Sequence, residues 1–285
     1  MTQEDCMKRY PQHIKRILLM VTPAIATSML AALPSQAATF GSSEATFNIQ
    51  NFNRNPLSIR TIADTVTNTI STNGQVNTNA NANANFQVDP NYALTFASNS
   101  STSKAQGQGS SYFGEGQSFA AVLGYDFLVQ PGETFFFDFN GLFDLKTSID
   151  NPTAENATAN GLLKFELYDS ESNSLLDSFS IVGNLATPGK DDAVELKYSS
   201  SITLDPAQTF NTSFGGTQEF AQGTVKGKYS RTFDKLTYLT LVETKTNQVR
   251  VQAPEPSVVF GLLFSCAMLG ITWKRKRKGV LSALT

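Results

Sequence analysis

Histidine, cysteine and tryptophan are nearly absent from this 285-residue chain, which has one His, two Cys and one Trp. His13 and Cys6 lie near the amino terminus, and Cys266 and Trp273 lie in the last 20 residues. The region between them therefore lacks the ligands of a Cys- or His-coordinated metal centre, the members of a Ser-His-Asp triad or Cys-His dyad, and the cysteines of a disulfide framework. We expect a body without catalytic residues or a protein-coordinated cofactor.

Charge is also scarce, at 16% of the residues. Setting aside the acidic and basic residues of the two ends leaves 21 acidic and 13 basic side chains between Ala38 and Gln252. Such a body carries a net charge of about minus eight, and a nucleic-acid partner would need a basic face that displaces counterions. The composition therefore argues against nucleic-acid binding and against adsorption to anionic lipid.

The amino-terminal segment has the three parts of a secretory signal peptide. Its basic start contains Lys8, Arg9, His13, Lys15 and Arg16. An apolar run covers residues 17–33, and the short side chains of Ser35 and Ala37 precede Ala38. The pattern predicts a signal helix in residues 1–37 and cleavage by signal peptidase after Ala37. A retained membrane anchor is the alternative, but Pro23 and the lack of a basic stop-transfer flank argue against it.

The carboxyl-terminal segment predicts one membrane helix. Residues 258–273 are apolar, and at about 1.5 Å per residue they span roughly 24 Å of a hydrocarbon core of about 30 Å. Trp273 and snorkelling basic side chains can bridge the difference. The helix is followed by five cations, Lys274, Arg275, Lys276, Arg277 and Lys278. These favour the cytoplasmic side, so that the body of the precursor lies outside the inner membrane and residues 279–285 form a short cytoplasmic tail.

Pro254, Glu255, Pro256 and Ser257 stand directly before this apolar stretch. With the helix and the basic cluster, residues 253–278 resemble the PEP-CTERM sorting signal of Gram-negative bacteria. The resemblance implies processing by an exosortase near the Pro-Glu-Pro tripeptide and delivery of the body to the cell surface or extracellular matrix. It covers only this end of the chain. The alternative is a plain tail anchor in which the two prolines only mark the start of a helix.

The middle of the chain is similar to PEP-CTERM proteins of the cyanobacterial type in two short stretches, residues 144–150 and 231–234. This similarity implies no activity.

Alternating apolar residues predict that residues 38–252 form an all-β fold, an antiparallel β-sandwich of eight to ten strands with a jelly-roll-like arrangement. Phe135, Phe137 and Phe139 share one face of a run that suits a central strand. Residues 119–129 and 134–145 flank a Pro-Gly turn and predict a hairpin, as do residues 162–169 and 175–182 around a polar turn. Tyr92, Leu94 and Phe96 predict a further strand. Between residues 59 and 70 β-branched residues favour a strand over a helix.

Low-complexity sequence covers about residues 73–111. Residues 73–85 are rich in Asn, which alternates with Ala over residues 79–85, and residues 99–111 mix Ser, Gly and Gln. Because neither stretch can bury enough apolar area in isolation, we expect a loop or a frayed edge. An ordered polar strand at a sheet edge, with Asn on one face and Ala on the other, is the alternative.

Carboxylates are the most abundant reactive groups of the body. Asp138, Asp144 and Asp150 recur every six residues, and further acids stand at turns: Asp169, Glu171, Asp191 and Asp192. Such oxygens suit Ca²⁺, but no Ca²⁺-binding loop motif is present, so solvated turn residues are the simpler interpretation. A glycoside hydrolase is a further alternative, with Asp126, Asp138 and Glu166 as its carboxylates.

These observations predict a non-enzymatic exported protein with a structural or adhesive role at the cell surface or in the matrix. Signal peptidase and an exosortase are its expected partners during export, and exopolysaccharide is a possible ligand. A carbohydrate-binding module for matrix polysaccharide is the main alternative, although the body lacks the Trp that often forms a sugar platform.

Overall fold

The computed structural model describes residues 38–90, 95–206 and 208–253, which form eleven β-strands and no α-helix. The strands are β1 (Ala38–Gln50), β2 (Ser58–Gln87), β3 (Phe96–Val129), β4 (Thr134–Ser148), β5 (Asn156–Asp169), β6 (Ser174–Thr187), β7 (Ala193–Tyr198), β8 (Ile202–Leu204), β9 (Thr209–Ser213), β10 (Gln218–Thr232) and β11 (Thr237–Ala253). Every strand pair is antiparallel. The prediction of an all-β antiparallel fold is confirmed.

One sheet contains all eleven strands, in the order β7-β6-β5-β11-β3-β1-β4-β10-β8, with β2 beside β3 and β9 beside β10. The sheet curls into two layers because β3 belongs to both. Its residues 96–108 pair with β1, and its residues 112–129 pair with β11. The first layer holds β1, β4, β8, β9 and β10, and the second holds β5, β6, β7 and β11. Phe47 of the first layer lies 6.0 Å from Phe165 of the second, so the layers pack face to face as in a sandwich.

The long strands β2 and β3 form a hairpin that bends with the sheet. Residues 58–71 of β2 pair with the second-layer part of β3, and residues 75–87 pair with the first-layer part. At the bend, Gly109 has φ +113°, a conformation that favours glycine. A Cβ atom there would lie 2.5 Å from Cα of Gly74. The two strands therefore approach at the bend more closely than side chains would allow.

Phenylalanine fills the space between the layers. Phe135, Phe137 and Phe139 of β4 are fully buried, and β4 lies between β1 and β10, as the alternation predicts for a central strand. Phe139 lies 5.2 Å from Phe179 of β6. Burial of each ring contributes about 1.5–3 kcal/mol, and each aromatic pair adds about 0.5–1.5 kcal/mol. The aromatic residues therefore account for much of the attraction between the layers.

The hairpin predicted across the Pro-Gly turn is wrong, although the turn itself is present. Gly132 has φ +79°, and the backbone N–H of Glu133 donates to the carbonyl of Gln130 over 3.0 Å, as in a type II turn. However, the strands that it joins lie in opposite layers, where Phe127 packs 5.1 Å from Phe135. The second predicted hairpin is confirmed, because β5 and β6 pair directly, from Asp169 opposite Ser174 to Ala157 opposite Thr187.

The low-complexity region is ordered strand and not the loop or frayed edge that we expect from its composition. Residues 77–85 of β2 expose Asn on one face and half-bury Ala on the other, as the alternative of an ordered polar edge strand predicts. Residues 99–108 belong to β3 and are held between β1 and β2, so the neighbouring strands satisfy their backbone groups. The strand predicted over 59–70 is also confirmed. Of the predicted strand around Tyr92, Leu94 and Phe96, the first two residues lie outside the described part, and Phe96 begins β3.

Candidate functional site

The predicted processing residues lie almost entirely outside the described residues. The residues outside are Ser35, Ala37, the sorting motif 254–257 and the basic cluster 274–278. Ala38, on the other side of the predicted signal-peptidase site, is the first residue of β1. Its backbone nitrogen donates to Oδ2 of Asp150 over 2.8 Å. Ala253, next to the sorting motif, is the buried last residue of β11.

Within residues 38–90, 95–206 and 208–253 we find no helix long and apolar enough to cross a bilayer. The helix predicted at 258–273 lies outside these ranges.

Two of the three carboxylates considered for glycoside hydrolysis, Asp138 and Glu166, do not meet in one cleft. Asp138 lies on the face of β4 opposite to the buried Phe137 and Phe139, so it points away from the second layer. Glu166 lies on the face of β5 opposite to the buried Phe165, and its Oε2 is 2.7 Å from Nζ of Lys164. The two side chains are therefore on opposite outer faces of the sandwich, and the pairing of Asp138 with Glu166 is wrong.

The acidic turn residues bind backbone groups. Asp169 accepts the N–H groups of Glu171 and Ser172 over 3.0 and 2.9 Å, and the bond to Ser172 holds the pKa of this carboxyl below its ordinary value. Asp192 accepts the N–H of Ala186 over 2.9 Å. In the described part of the chain no group of three or more His, Cys, Asp or Glu side chains could hold a metal ion.

A buried ion pair lies between the layers, and no pattern in the sequence predicts it. Nζ of Lys245 is 2.5 Å from Oε1 of Glu243, and both side chains are inaccessible to solvent. Asn99 donates from Nδ2 to Oε2 of the same carboxylate. Nζ of Lys245 also lies 5.5 Å from the centre of the Phe47 ring, within the range of a cation–π contact.

Burial changes the proton affinity of both partners. Desolvation raises the pKa of the Glu243 carboxyl to about 7, although the Lys245 ammonium beside it acts in the opposite direction. Desolvation lowers the pKa of Lys245 to about 8, against the attraction of Glu243. Perturbed pKa values are common at functional sites, but they also occur in structural ion pairs. With no solvent contact, this pair has the character of a structural group.

Further polar contacts surround the ion pair. Asn247, the next inward residue of β11, accepts a hydrogen bond from Oγ of Ser43 over 2.8 Å and donates to the carbonyl of Ser101. Oγ of Ser103 lies 2.9 Å from Oγ of Ser118, so the two halves of β3 contact each other across the layers. The sequence does indicate that these polar residues face inward, because residues 243, 245 and 247 continue the alternation of the inward apolar residues of β11. It gives no indication of the side chains on other strands that bind them.

The most exposed element is the part of β2 between residues 58 and 71, which we call the β2 limb. All but one of its residues are exposed, and the remaining one, Ile62, is half-buried. One face of the limb continues the inner face of the sheet, since Thr65 pairs with the buried Ser118. The opposite layer does not cover this face. The exposed fractions of Val66 and Ile70 on the other face are 57% and 61%.

A second candidate surface is the outside of the first layer, where amide and hydroxyl side chains form a regular array. Neighbouring strands there are about 4.8 Å apart, and successive outward residues of one strand are about 7 Å apart. We call this array the polar outer face. It consists of Asn81, Asn83 and Asn85 of β2, Ser98, Ser100 and Thr102 of β3, and Glu44, Thr46 and Asn48 of β1. The amide and hydroxyl side chains of this array can donate to and accept from hydroxyl groups, and the Glu44 carboxylate can accept from them.

One cavity of about 610 Å³ lies at the bend of the β2–β3 hairpin. It is lined by Thr69, Ser71, Gln75, Val76, Asn77, Gln106, Gly107 and Gln108. The lining contains no titratable side chain, so the cavity suits contact with neutral polar groups better than acid–base chemistry.

Comparison of the chain with protein-family models, with curated proteins and with solved structures gives no match.

Proposed function

We propose that this chain is a non-enzymatic exported protein that serves a structural or adhesive role at the cell surface or in the extracellular matrix. The observation that carries the proposal is that the described residues between the two predicted processing sites pack into two layers around a buried phenylalanine core. The residues nearest the two sites belong to this fold, since Ala38 pairs with Gln108 of β3 and Ala253 pairs with Tyr112 of β3. Cleavage at both sites would leave these residues in the processed chain.

The amino terminus of the processed chain also has a partner in the fold. Cleavage after Ala37 would convert the backbone N–H of Ala38 into an ammonium group, and Asp150 already accepts a hydrogen bond from that nitrogen. A charged donor to a carboxylate makes a stronger hydrogen bond than a neutral one. The geometry is therefore compatible with Ala38 as the first residue of the mature protein.

The proposed route follows from the terminal segments. Residues 1–37 form a signal helix, and residues 258–273 hold the precursor in the inner membrane until an exosortase cuts near Pro254-Glu255-Pro256. Pulse labelling in the host tests this route, with the conversion of the precursor to a shorter chain as the expected result. In a strain without the exosortase we expect the precursor to persist. Persistence of the membrane segment in both strains would support a plain tail anchor.

Binding of matrix polysaccharide is the second candidate function, because the polar outer face presents a regular array of hydrogen-bonding side chains. We expect the protein recovered from its host to bind a host polysaccharide. Replacement of Asn81, Asn83 and Asn85 by Ala should weaken that binding at least tenfold, whereas the matched replacement of Asn156, Thr158 and Asn160 on the outward face of β5 should leave it unchanged. Equal binding by all three proteins would exclude the polar outer face as the site.

A jelly-roll-like sandwich is the finer description that we propose for the curled sheet. The acidic turns need no Ca²⁺ for their hydrogen bonds, since the N–H groups of Glu171, Ser172 and Ala186 already bind Asp169 and Asp192. We propose that the protein binds no cofactor and no nucleic acid.

A further inference from the structure

The outer edge of β2 is unpaired within the described strands. β2 pairs with β3 along one side, and no other described strand pairs with it. In an edge strand every second residue turns its N–H and C=O groups outward, where they can pair with another chain. Proteins usually protect such an edge with Lys, Pro or a short strand. β2 has 30 residues without Lys or Pro, and its charged side chains are Arg60 and Asp64.

The side chains of the β2 limb are arranged symmetrically about Val66. On the face that includes Val66, two isoleucines stand four residues before and four residues after it, at Ile62 and Ile70. On the other face the order is Thr61, Ala63, Thr65, Thr67, Thr69 and Ser71. When a second copy runs antiparallel, isoleucine therefore meets isoleucine and hydroxyl meets hydroxyl, except that Ala63 meets Thr69 and Asp64 meets Asn68.

We propose that two copies of this chain associate through their β2 limbs, which pair antiparallel around a two-fold axis at Val66. Val66 then faces Val66 of the second copy, and Ile62 faces Ile70 of the second copy. On the other face Thr65 lies opposite Thr67 of the second copy, and such hydroxyl pairs stabilise antiparallel strands. The interface is isologous and closed, so the association stops at two copies.

Charge and apolar pairing favour an axis at Val66 over the axes two residues away on the same face. An axis at Asp64 would place the carboxylates of the two copies directly opposite each other, which is destabilising. An axis at Asn68 would place Ile62 opposite Gly74 of the second copy and leave it without an apolar partner. With the axis at Val66, Asp64 faces Asn68 of the second copy, and Arg60 faces Thr72 of the second copy. No like charges are opposed between residues 60 and 72.

The pairing does not depend on the proposed export, since it uses only residues of the folded body. It would join the second layers of two molecules into one continuous sheet. An association of this kind suits a structural role, but it would also occur if the chain had another function.

The mass of the full chain in detergent solution, from light scattering with the detergent contribution subtracted, tests the proposal. We expect twice the chain mass for the wild-type protein. Val66→Lys places two cations opposite each other at the axis and should give the single-chain mass. Asn83→Lys, on the same strand but outside the paired residues, is the matched control and should keep the double mass.

Both replaced side chains are exposed, so both variants should keep the β-strand circular dichroism of the wild type, which separates loss of association from loss of folding. The unfolding temperature should rise with protein concentration for Asn83→Lys, which stays dimeric, but not for Val66→Lys. A wild-type protein of single-chain mass at its highest soluble concentration would overturn the proposal. So would a Val66→Lys protein that keeps the double mass.

Cross-linking tests the register. In a background in which Cys6 and Cys266 are replaced by Ser, we expect Val66→Cys to form a covalent dimer on mild oxidation, because the two residues face each other at the axis. Asp64→Cys, two residues away on the same face, should stay uncross-linked, since its counterpart lies about 14 Å further along the strand. Cross-linking of Asp64→Cys in preference to Val66→Cys would contradict the register.

Discussion

Nζ of Lys245 lies 2.5 Å from Oε1 of Glu243 in the interior of the sandwich, where neither side chain contacts solvent. Both residues belong to β11, and Asn99 of β3 is the further hydrogen-bond partner of the carboxylate. A buried ion pair costs desolvation energy that its attraction only partly offsets. Removal of one partner leaves the other charge buried and unpaired, whereas removal of both partners leaves no buried charge.

Removal of one partner should be strongly destabilising. Glu243→Gln leaves the Lys245 ammonium buried without a counter-charge, and we expect the free energy of unfolding to fall by about 3–5 kcal/mol. The double variant Glu243→Leu with Lys245→Met should lose much less, because no buried charge remains. Chemical denaturation measures both values. The exposed pair of Glu195 and Lys197 on β7 is the control, and Glu195→Gln should change stability little. A Glu243→Gln variant as stable as the wild type would refute this account.

The same pair predicts a characteristic dependence of stability on pH. Folding raises the pKa of Glu243 from 4.5 to about 7. Between these pH values the folded protein holds a proton that the unfolded chain releases, so the contribution of Glu243 to the free energy of unfolding falls as pH rises. The folded state lowers the pKa of Lys245 from 10.5 to about 8, so the contribution of this residue rises with pH between these values.

Relative to the double variant, the wild type should therefore have its lowest free energy of unfolding at about pH 7–8 and a higher one at more acidic and more basic pH. Denaturation series across about pH 4.5–10.5 measure it, with the double variant as the reference that lacks both groups. A difference that stays constant over this range would contradict the pKa assignments.

The bend of the β2–β3 hairpin gives a third prediction. Gly109→Ala introduces a side chain at φ +113° and brings its Cβ within 2.5 Å of Gly74, so we expect a loss of about 1–3 kcal/mol or more in unfolding free energy. Gly132→Ala is the matched control, because Gly132 also has positive φ but has no atom within 4 Å of the added Cβ. Denaturation should show the larger loss for Gly109→Ala. Equal losses would mean that the close approach at the bend is unimportant.

Local alternation was enough to predict individual strands, and also the one hairpin whose two strands are adjacent in sequence. Phe135, Phe137 and Phe139 stand on one face of β4, and they are buried together. The turn between β5 and β6 joins two strands that pair directly, so its hairpin could be read from residues 162–182 alone.

The sequence was misleading where pairing depends on distant residues. The Ser-rich start of β3 has too few apolar groups to predict a buried strand, but Ser101 and Ser103 bond to Ser118 and Asn247 in the interior. The Pro-Gly turn predicts a reversal of the chain but not whether its strands pair within one layer or face each other across two. The β2 limb was predicted as a strand, whereas its exposure on both faces depends on which residues the opposite layer covers.

The central claim is that the folded body is the mature protein, freed from both terminal segments during export. Mass spectrometry of the intact chain recovered from the host cell surface or matrix tests it most directly. We predict a chain that begins at Ala38 and ends close to Pro254-Glu255-Pro256. Recovery of the full 285-residue chain from the interior of the cell would contradict the claim.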